Sequence, residues 1–198
     1  MDELRLNIGA GVTYIPDFRN IDIDPRAEIQ VDVGREQLPF DDNSVSLIFS
    51  YHTLEHVDDY LFALGEMYRV LEHDGTLLLG LPYVTLTEYN LVNPYHRHNF
   101  SEHSFAFFDP ALLKGSAVER NAILLRRAFL RFEYMPGFGS LPKQVRIWCR
   151  RHLLNVVRSF DIGLAALKEP ARPVRAGQER EDEMRRLFDD CLARRRRY

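Results

Sequence analysis

Apolar and polar positions along the chain follow two periods in turn. Residues 4–8, 20–24, 28–33, 45–50 and 76–81 form short apolar or alternating runs bounded by glycine, proline or aspartate, which predicts strands. The run at 45–50 is the more continuously apolar, as expected of a strand buried on both faces. Between them, Val57, Leu61, Leu64, Met67, Tyr68 and Leu71 recur at helical spacing, with Gly75 placed to terminate a core-facing helix. Farther on, the pattern predicts a helix starting near Ser101, a strand over 123–134, a helix over 142–160 opened by Pro142, and a strand over 162–168. Strands alternating with helical connections imply a doubly wound, mostly parallel, seven-stranded α/β sheet of Rossmann type. Residues 169–177, EPARPVRAG, read as a linker, and Met184, Leu187, Phe188, Cys191 and Leu192 as the narrow apolar stripe of a tail helix that needs a surface to cover. The expected division is a domain over 1–168 and a linker with an amphipathic helix over 169–198.

Composition adds limits. The chain has 198 residues, 45% hydrophobic and 28% charged, a globular balance. The start, MDELRL, is acidic where a signal peptide is basic, and no apolar run approaches the roughly 20 residues that span a bilayer, so the expectation is a cytoplasmic chain without a transmembrane segment. Cys149 and Cys191 lack the close spacing of a metal or redox pair. The net charge of −3 conceals an asymmetry: residues 1–111 hold 6 Lys or Arg against 19 Asp or Glu, residues 112–198 hold 20 against 10.

The chemistry starts at the first strand. It runs into LNIGAG, where Gly9 and Gly11 allow a tight turn and a close backbone approach to a ligand. Asp22 closes the second strand, where Rossmann-type folds place a carboxylate that accepts from ribose hydroxyls; Asp24 competes for that role but suits a turn cap before Pro25. Together LNIGAG, NIDIDP, VDVGREQLPFDDNSVSLIFSYHTLEHV and MYRVLEHDGTLLLGLP resemble the successive motifs of class I S-adenosylmethionine-dependent methyltransferases of type 11 kind. The resemblance covers about residues 4–82 and is nearest to small bacterial members associated with surface-polysaccharide biosynthesis.

The resemblance implies that S-adenosylmethionine is the cofactor, that Asn7, Gly9 and Gly11 line its methionine side, that Asp22 holds its ribose, and that Asp32 and Val33 flank its adenine. Ser50, Tyr51 and His52 would border the sulfonium and the substrate entrance, in the crevice at strand carboxyl ends. It departs from the family at Asn7, where many members carry an acidic residue, and in the first crossover, because Asp22 follows Gly11 by only eleven positions. Residues 83–168 would then form the acceptor side.

HTLEH, residues 52–56, fits the H-x-x-E-H zinc signature, but that signature needs a helix and a further ligand, whereas here it directly follows a strand; no metal is expected. Glu55 and His56 suit a helix entrance. His96 and His98 alternate in YHRHNF, so an extended chain would point both the same way. A hydroxyl acceptor needs a general base, for which His52, His96 and His98 are the candidates in that order. The leading expectation is O-methylation of a small-molecule or glycan acceptor, lipid-linked saccharides included. The Arg-rich second half keeps an RNA methyltransferase as the rival, and Asn7 with the short crossover keeps a non-catalytic adapter. The basic stripe over 142–160 suits either a solvated core helix or contact with an anionic membrane surface.

Overall fold

The computed structural model describes residues 3–112, 122–169 and 171–198. In chain order it holds β1 (Arg5–Ile8), β2 (Thr13–Tyr14), β3 (Arg19–Asp22), β4 (Ile29–Gln30), β5 (Val45–Tyr51), α1 (Tyr60–Val70), β6 (Leu71–Pro82), β7 (Leu125–Tyr134), α2 (Lys143–His152), β8 (Val157–Ala166), α3 (Gln178–Arg194) and β9 (Arg196–Arg197). Seven strands form one sheet in the order β4-β3-β1-β5-β6-β8-β7. The first five pair in parallel, and β8 runs antiparallel between β6 and β7. This is the Rossmann-like, mostly parallel sheet expected from the sequence.

Both faces are covered. Leu6, Ile8, Ile48, Leu77 and Leu79 meet Ala63, Leu64, Met67 and Val70 of α1 in one core. α1 opens on Asp59, whose carboxylate accepts from the Phe62 N–H at 2.9 Å. On the other face Leu47, Phe49, Leu78 and Phe129 meet Met184, Phe188 and Cys191 of α3. Gly163 permits that contact, since a Cβ there would lie 2.7 Å from the Met184 sulfur. Burial pushes the Cys191 thiol up to about 12, leaving it an apolar filler.

The short first crossover and the tail helix answer one another. Residues between β1 and β3 form no helix; they contribute β2, which pairs with β9 in a two-stranded sheet, and the buried side chains Ile15 and Phe18, which join α3. α3 thus fills space beside the loop that replaces a crossover helix. The segment before it is held by Arg175, whose N–H donates to Asp74 at 3.0 Å, and Arg180 is buried with its guanidinium on the Asp74 carbonyl and the Thr76 hydroxyl.

Three expectations need correction. The helix expected over 142–160 stops at His152, because the chain reverses at Asn155, which takes a left-handed φ of 57° and accepts the N–H and hydroxyl of Thr87. Phe160 therefore lies on β8, which starts five residues before the expected strand at 162. No long helix starts near Ser101: its hydroxyl accepts from the His103 N–H in a turn, followed by a single 3-10 turn at Ala106–Phe108. α1 ends at Val70, where the apolar stripe over 57–71 ends, but it starts only at Tyr60, and Gly75 does not terminate it: residues 72–75 already belong to β6 and bulge out of register before pairing with β5 resumes at Thr76.

Candidate functional site

At the carboxyl ends of β1 and β3 lies a crevice of about 460 Å³, a volume suited to a nucleotide-sized ligand. Gly9 and Gly11 take φ values of 75° and 60° at its floor. Gly9 is required twice over, since a Cβ there would come within 1.8 Å of the Thr53 hydroxyl. Asp22 faces the crevice with its carboxylate fixed by the N–H groups of Gly11 at 2.7 Å and Asp24 at 2.9 Å, and each oxygen keeps a lone pair for an incoming hydroxyl. Asp24 instead binds the backbone and guanidinium of Arg26, the turn role foreseen as its alternative. Asp32 and Val33 form the next wall, and Asp58, paired with both Arg35 and Arg97, closes the rim.

A second cavity of about 540 Å³ opens beside the first, lined by Tyr51, Leu86, Tyr89, His96, Arg158 and Ser159 among others. His52 and His56 line both cavities, and Glu55 stands behind them, wholly buried. His52 takes a left-handed φ of 54°, held by its N–H on the Gly80 carbonyl, and sets Nδ1 3.0 Å from Glu55 Oε1. The other carboxylate oxygen, Oε2, is buried without a hydrogen-bond partner among the described residues. The Glu55 carbonyl accepts the N–H groups of Arg97 and His98, pinning the loop that forms the far wall. Burial lowers the pKa of His96; Glu55 opposes this, while His56 and His52 reinforce it.

The expected residues thus separate. Gly9, Gly11, Asp22, Asp32 and Val33 line the crevice, and His52 borders it. Asn7 does not: it is buried, and its amide donates to Asn20 Oδ1 at 2.8 Å, bracing the loop that Asn20 holds through Ile15 and Phe18. Ser50 is buried with its hydroxyl unpartnered among the described residues, and Tyr51 faces the second cavity, where burial raises its pKa and keeps it protonated. His96 lines the second cavity, but His98 lines neither; its Nε2–H donates to the Val57 and Asp58 carbonyls. The two histidines do not point the same way: His96 Nδ1 is anchored on Asn90, whereas His98 Nε2 is anchored on the Val57 and Asp58 carbonyls. HTLEH likewise lies at the end of β5 and in turns before α1, not in a helix. Thr53, Asp58, Arg35 and Arg97 were not foreseen; ion pairs with Asp58, distant in sequence from both arginines, hold the last two at the rim.

Comparison with known proteins bears on the fold. Residues 19–79 match a methyltransferase domain family. A stretch of 46 residues is 41% identical to YrhH of Bacillus subtilis (strain 168), a protein carrying a methyltransferase name; it spans 23% of this chain and 26% of that protein. Similar solved structures include a SAM-dependent methyltransferase from Archaeoglobus fulgidus, with a TM-score of 0.57 at 13% identity over 82% of this chain and 86% of that one. The YcgJ protein of Bacillus subtilis gives 0.53 at 16% identity, over 84% and 93%. A geranyl diphosphate C-methyltransferase from Streptomyces coelicolor gives 0.52 at 12% identity, over 84% and 71%. With its sheet order, its crevice at the strand ends and the match over residues 19–79, the chain carries the fold of the class I S-adenosylmethionine-dependent methyltransferases.

Proposed function

We propose that this chain is an S-adenosylmethionine-dependent methyltransferase acting on a hydroxyl of a small-molecule or glycan acceptor held in the second cavity. The observation that carries this reading is the shared wall: His52 and His56 line both the Gly9–Asp22 crevice and the neighbouring cavity. The residues fit the cofactor: Asp22 has free lone pairs for ribose hydroxyls, Gly9 and Gly11 leave the backbone bare, and Asp32 and Val33 form a wall for adenine. Bound there, S-adenosylmethionine supplies an electrophilic methyl group on a sulfonium. The chain aligns the reactants and excludes water, which contributes much of the acceleration for an in-line displacement. Glu55 accepts from His52 Nδ1, so Nε2 keeps the lone pair that receives the acceptor's proton.

The reading is tested by melting the protein with millimolar S-adenosylmethionine, then following isotopic methyl transfer to nucleotide-sugars and glycolipids. A raised melting temperature and labelled product are expected; no shift would leave only the adapter. The fold carries no preference for O- over C-methylation, so the labelled atom decides that point.

One observation favours a lipid-linked saccharide acceptor, the substrate class implied by the resemblance to polysaccharide-associated members. α2 leaves Trp148 55% exposed, followed by exposed Leu153 and Leu154, beside Lys143 and Arg151. That mixture suits an anionic bilayer surface. No described helix is long and apolar enough to cross a membrane. Sedimentation with phosphatidylglycerol vesicles, lost in Trp148→Ala, is the corresponding measurement. Against the RNA alternative, many arginines of the second half are engaged in ion pairs within the chain.

A further inference from the structure

We propose that Glu55, His56 and His96 form a binding site for a divalent transition-metal ion of borderline softness, Zn²⁺ or a close analogue, in the wall between the two cavities. Each offers one ligand atom, and the three atoms lie within 4.8 Å of one another. Ligands about 2.1 Å from a tetrahedral zinc stand roughly 3.4 Å apart, so small side-chain rotations close the site. All three residues line the second cavity, which leaves the remaining coordination positions open toward the acceptor.

The hydrogen bonds around the histidines assign their tautomers. His56 Nδ1 lies 3.2 Å from the Tyr95 carbonyl, which can only accept, so Nδ1 carries the proton and Nε2 is bare. His56 Nε2 is the atom turned toward Glu55, at 3.9 Å from Oε1. His96 Nδ1 lies 2.9 Å from Asn90 Oδ1. The Asn90 amide orientation is set independently, because its Nδ2 reaches the Val84 carbonyl, another obligate acceptor, and Asn99 Oδ1 at 2.7 Å. His96 Nδ1 must therefore donate, and its Nε2 is bare as well. An N–H anchored on an oxygen, with the opposite nitrogen free, is how proteins orient imidazoles for metals.

The second, independent observation is Glu55. Its carboxylate is 0% exposed, no lysine or arginine pairs with it among the described residues, and Oε2 has no hydrogen-bond partner there. A buried carboxylate oxygen in that condition is costly unless a cation satisfies it. Two imidazoles and one carboxylate favour zinc-like ions over magnesium or calcium, which prefer all-oxygen shells. The site differs from the helical H-x-x-E-H reading of residues 52–56, since His52 is occupied with Glu55 Oε1 and the ligand completing the set, His96, comes from a distant loop.

The test is titration of the metal-free full chain with Co²⁺, read by visible absorption, followed by displacement with Zn²⁺ and metal analysis. One ion per chain is expected, with a d–d spectrum of four- or five-coordinate type. His96→Ala should weaken binding by more than the roughly 10–100-fold that loss of an outer hydrogen-bond partner costs. His103→Ala, an exposed histidine outside the site, should leave it unchanged. Should Glu55→Gln fail to fold, the partly exposed His56 and His96 supply the substitutions. Absence of a spectrum at 1 mM Co²⁺, or stoichiometric binding retained in the His56→Ala/His96→Ala double variant, overturns the proposal. The site does not depend on methyl transfer: cofactor binding is read separately by the melting shift, so either claim can fail alone.

Discussion

The two cavities are built from different materials. The crevice takes almost all its lining from residues 9–58, at the ends of parallel strands whose register sets where Gly9, Asp22 and Asp32 stand; among the described residues Arg97 alone reaches in from beyond. The second cavity draws on β5, on the loop carrying Leu86 to His96, and on β7 and β8 through Glu133, Arg158 and Ser159. A site on strand ends inherits the precision of the sheet, whereas a site made by loops depends on individual hydrogen bonds, such as those of Asn90 and Asn155. Ligand binding and acceptor chemistry should therefore respond separately to substitution.

The largest effect expected is at the wall. His52→Asn, chosen because asparagine tolerates the left-handed backbone at this position, should lower turnover about 10²–10⁴-fold with cofactor affinity nearly unchanged. Unchanged turnover would remove His52 as the base and blur the distinction between the cavities. Next, Phe188→Ala empties the core between α3 and the sheet and should cost about 3–5 kcal/mol in denaturant unfolding, while the folded fraction binds cofactor normally. A stable variant would mean that α3 is dispensable cover. Asp22→Ala confines its damage to the crevice: removing a charged hydrogen-bond acceptor should weaken S-adenosylmethionine about 10–100-fold by calorimetry, and equal loss of acceptor binding would contradict the separation.

The smallest effect concerns a buried carboxylate away from both linings, Glu102. Burial acts to raise the Glu102 carboxyl, but the Tyr83 hydroxyl, its own N–H and the Arg150 guanidinium outweigh it and hold it below the ordinary carboxylate range. A depressed folded value contributes stability that is present above the unfolded pKa, about 4.3, and lost as pH falls through the folded one. Glu102→Gln should therefore lower the melting temperature at pH 7 and flatten its decline in acid. An unaltered acid limb would show the pair to be inert.

Charge offers a second contrast. The acidic first half and basic second half suggest an anionic partner when read as composition. In the fold they meet: Arg175 and Arg180 converge on Asp74, Arg150 on Glu102 and Arg194 on Asp17. Much of the asymmetry is internal complementarity, largely between the sheet and the tail that covers it, and the α2 face keeps a basic and apolar surface together.

The legible parts were those governed by local rules. Strand and helix periods, the glycines before a turn and the acidic end of β3 are properties of short segments, and they located the sheet and Gly9, Gly11 and Asp22 of the crevice, while Asp32 and Val33 came with the family resemblance. The illegible parts came where one pattern admits two structures: Val156 and Phe160 satisfy a helical spacing, yet they fall on either side of the start of a strand, because Asn155 is held in a reversing conformation by Thr87, 68 positions away. Asn7 occupies a motif position, but its side chain is on Asn20, a contact fixed by strand register.

By itself the sequence determined a Rossmann-like sheet with a glycine turn and an acidic strand end, and a tail helix with one apolar stripe, since periodicity and turn chemistry act over a few residues; the cofactor assigned to the crevice came from the family resemblance of its motifs. Only the tertiary structure decided that the tail packs beside the shortened crossover, that His96 turns toward Glu55 and His56 while His98 turns away, and that the two cavities share a wall. Those outcomes depend on long-range hydrogen bonds and buried packing, where the energy belongs to pairs of residues far apart in the chain and leaves no pattern in either segment alone.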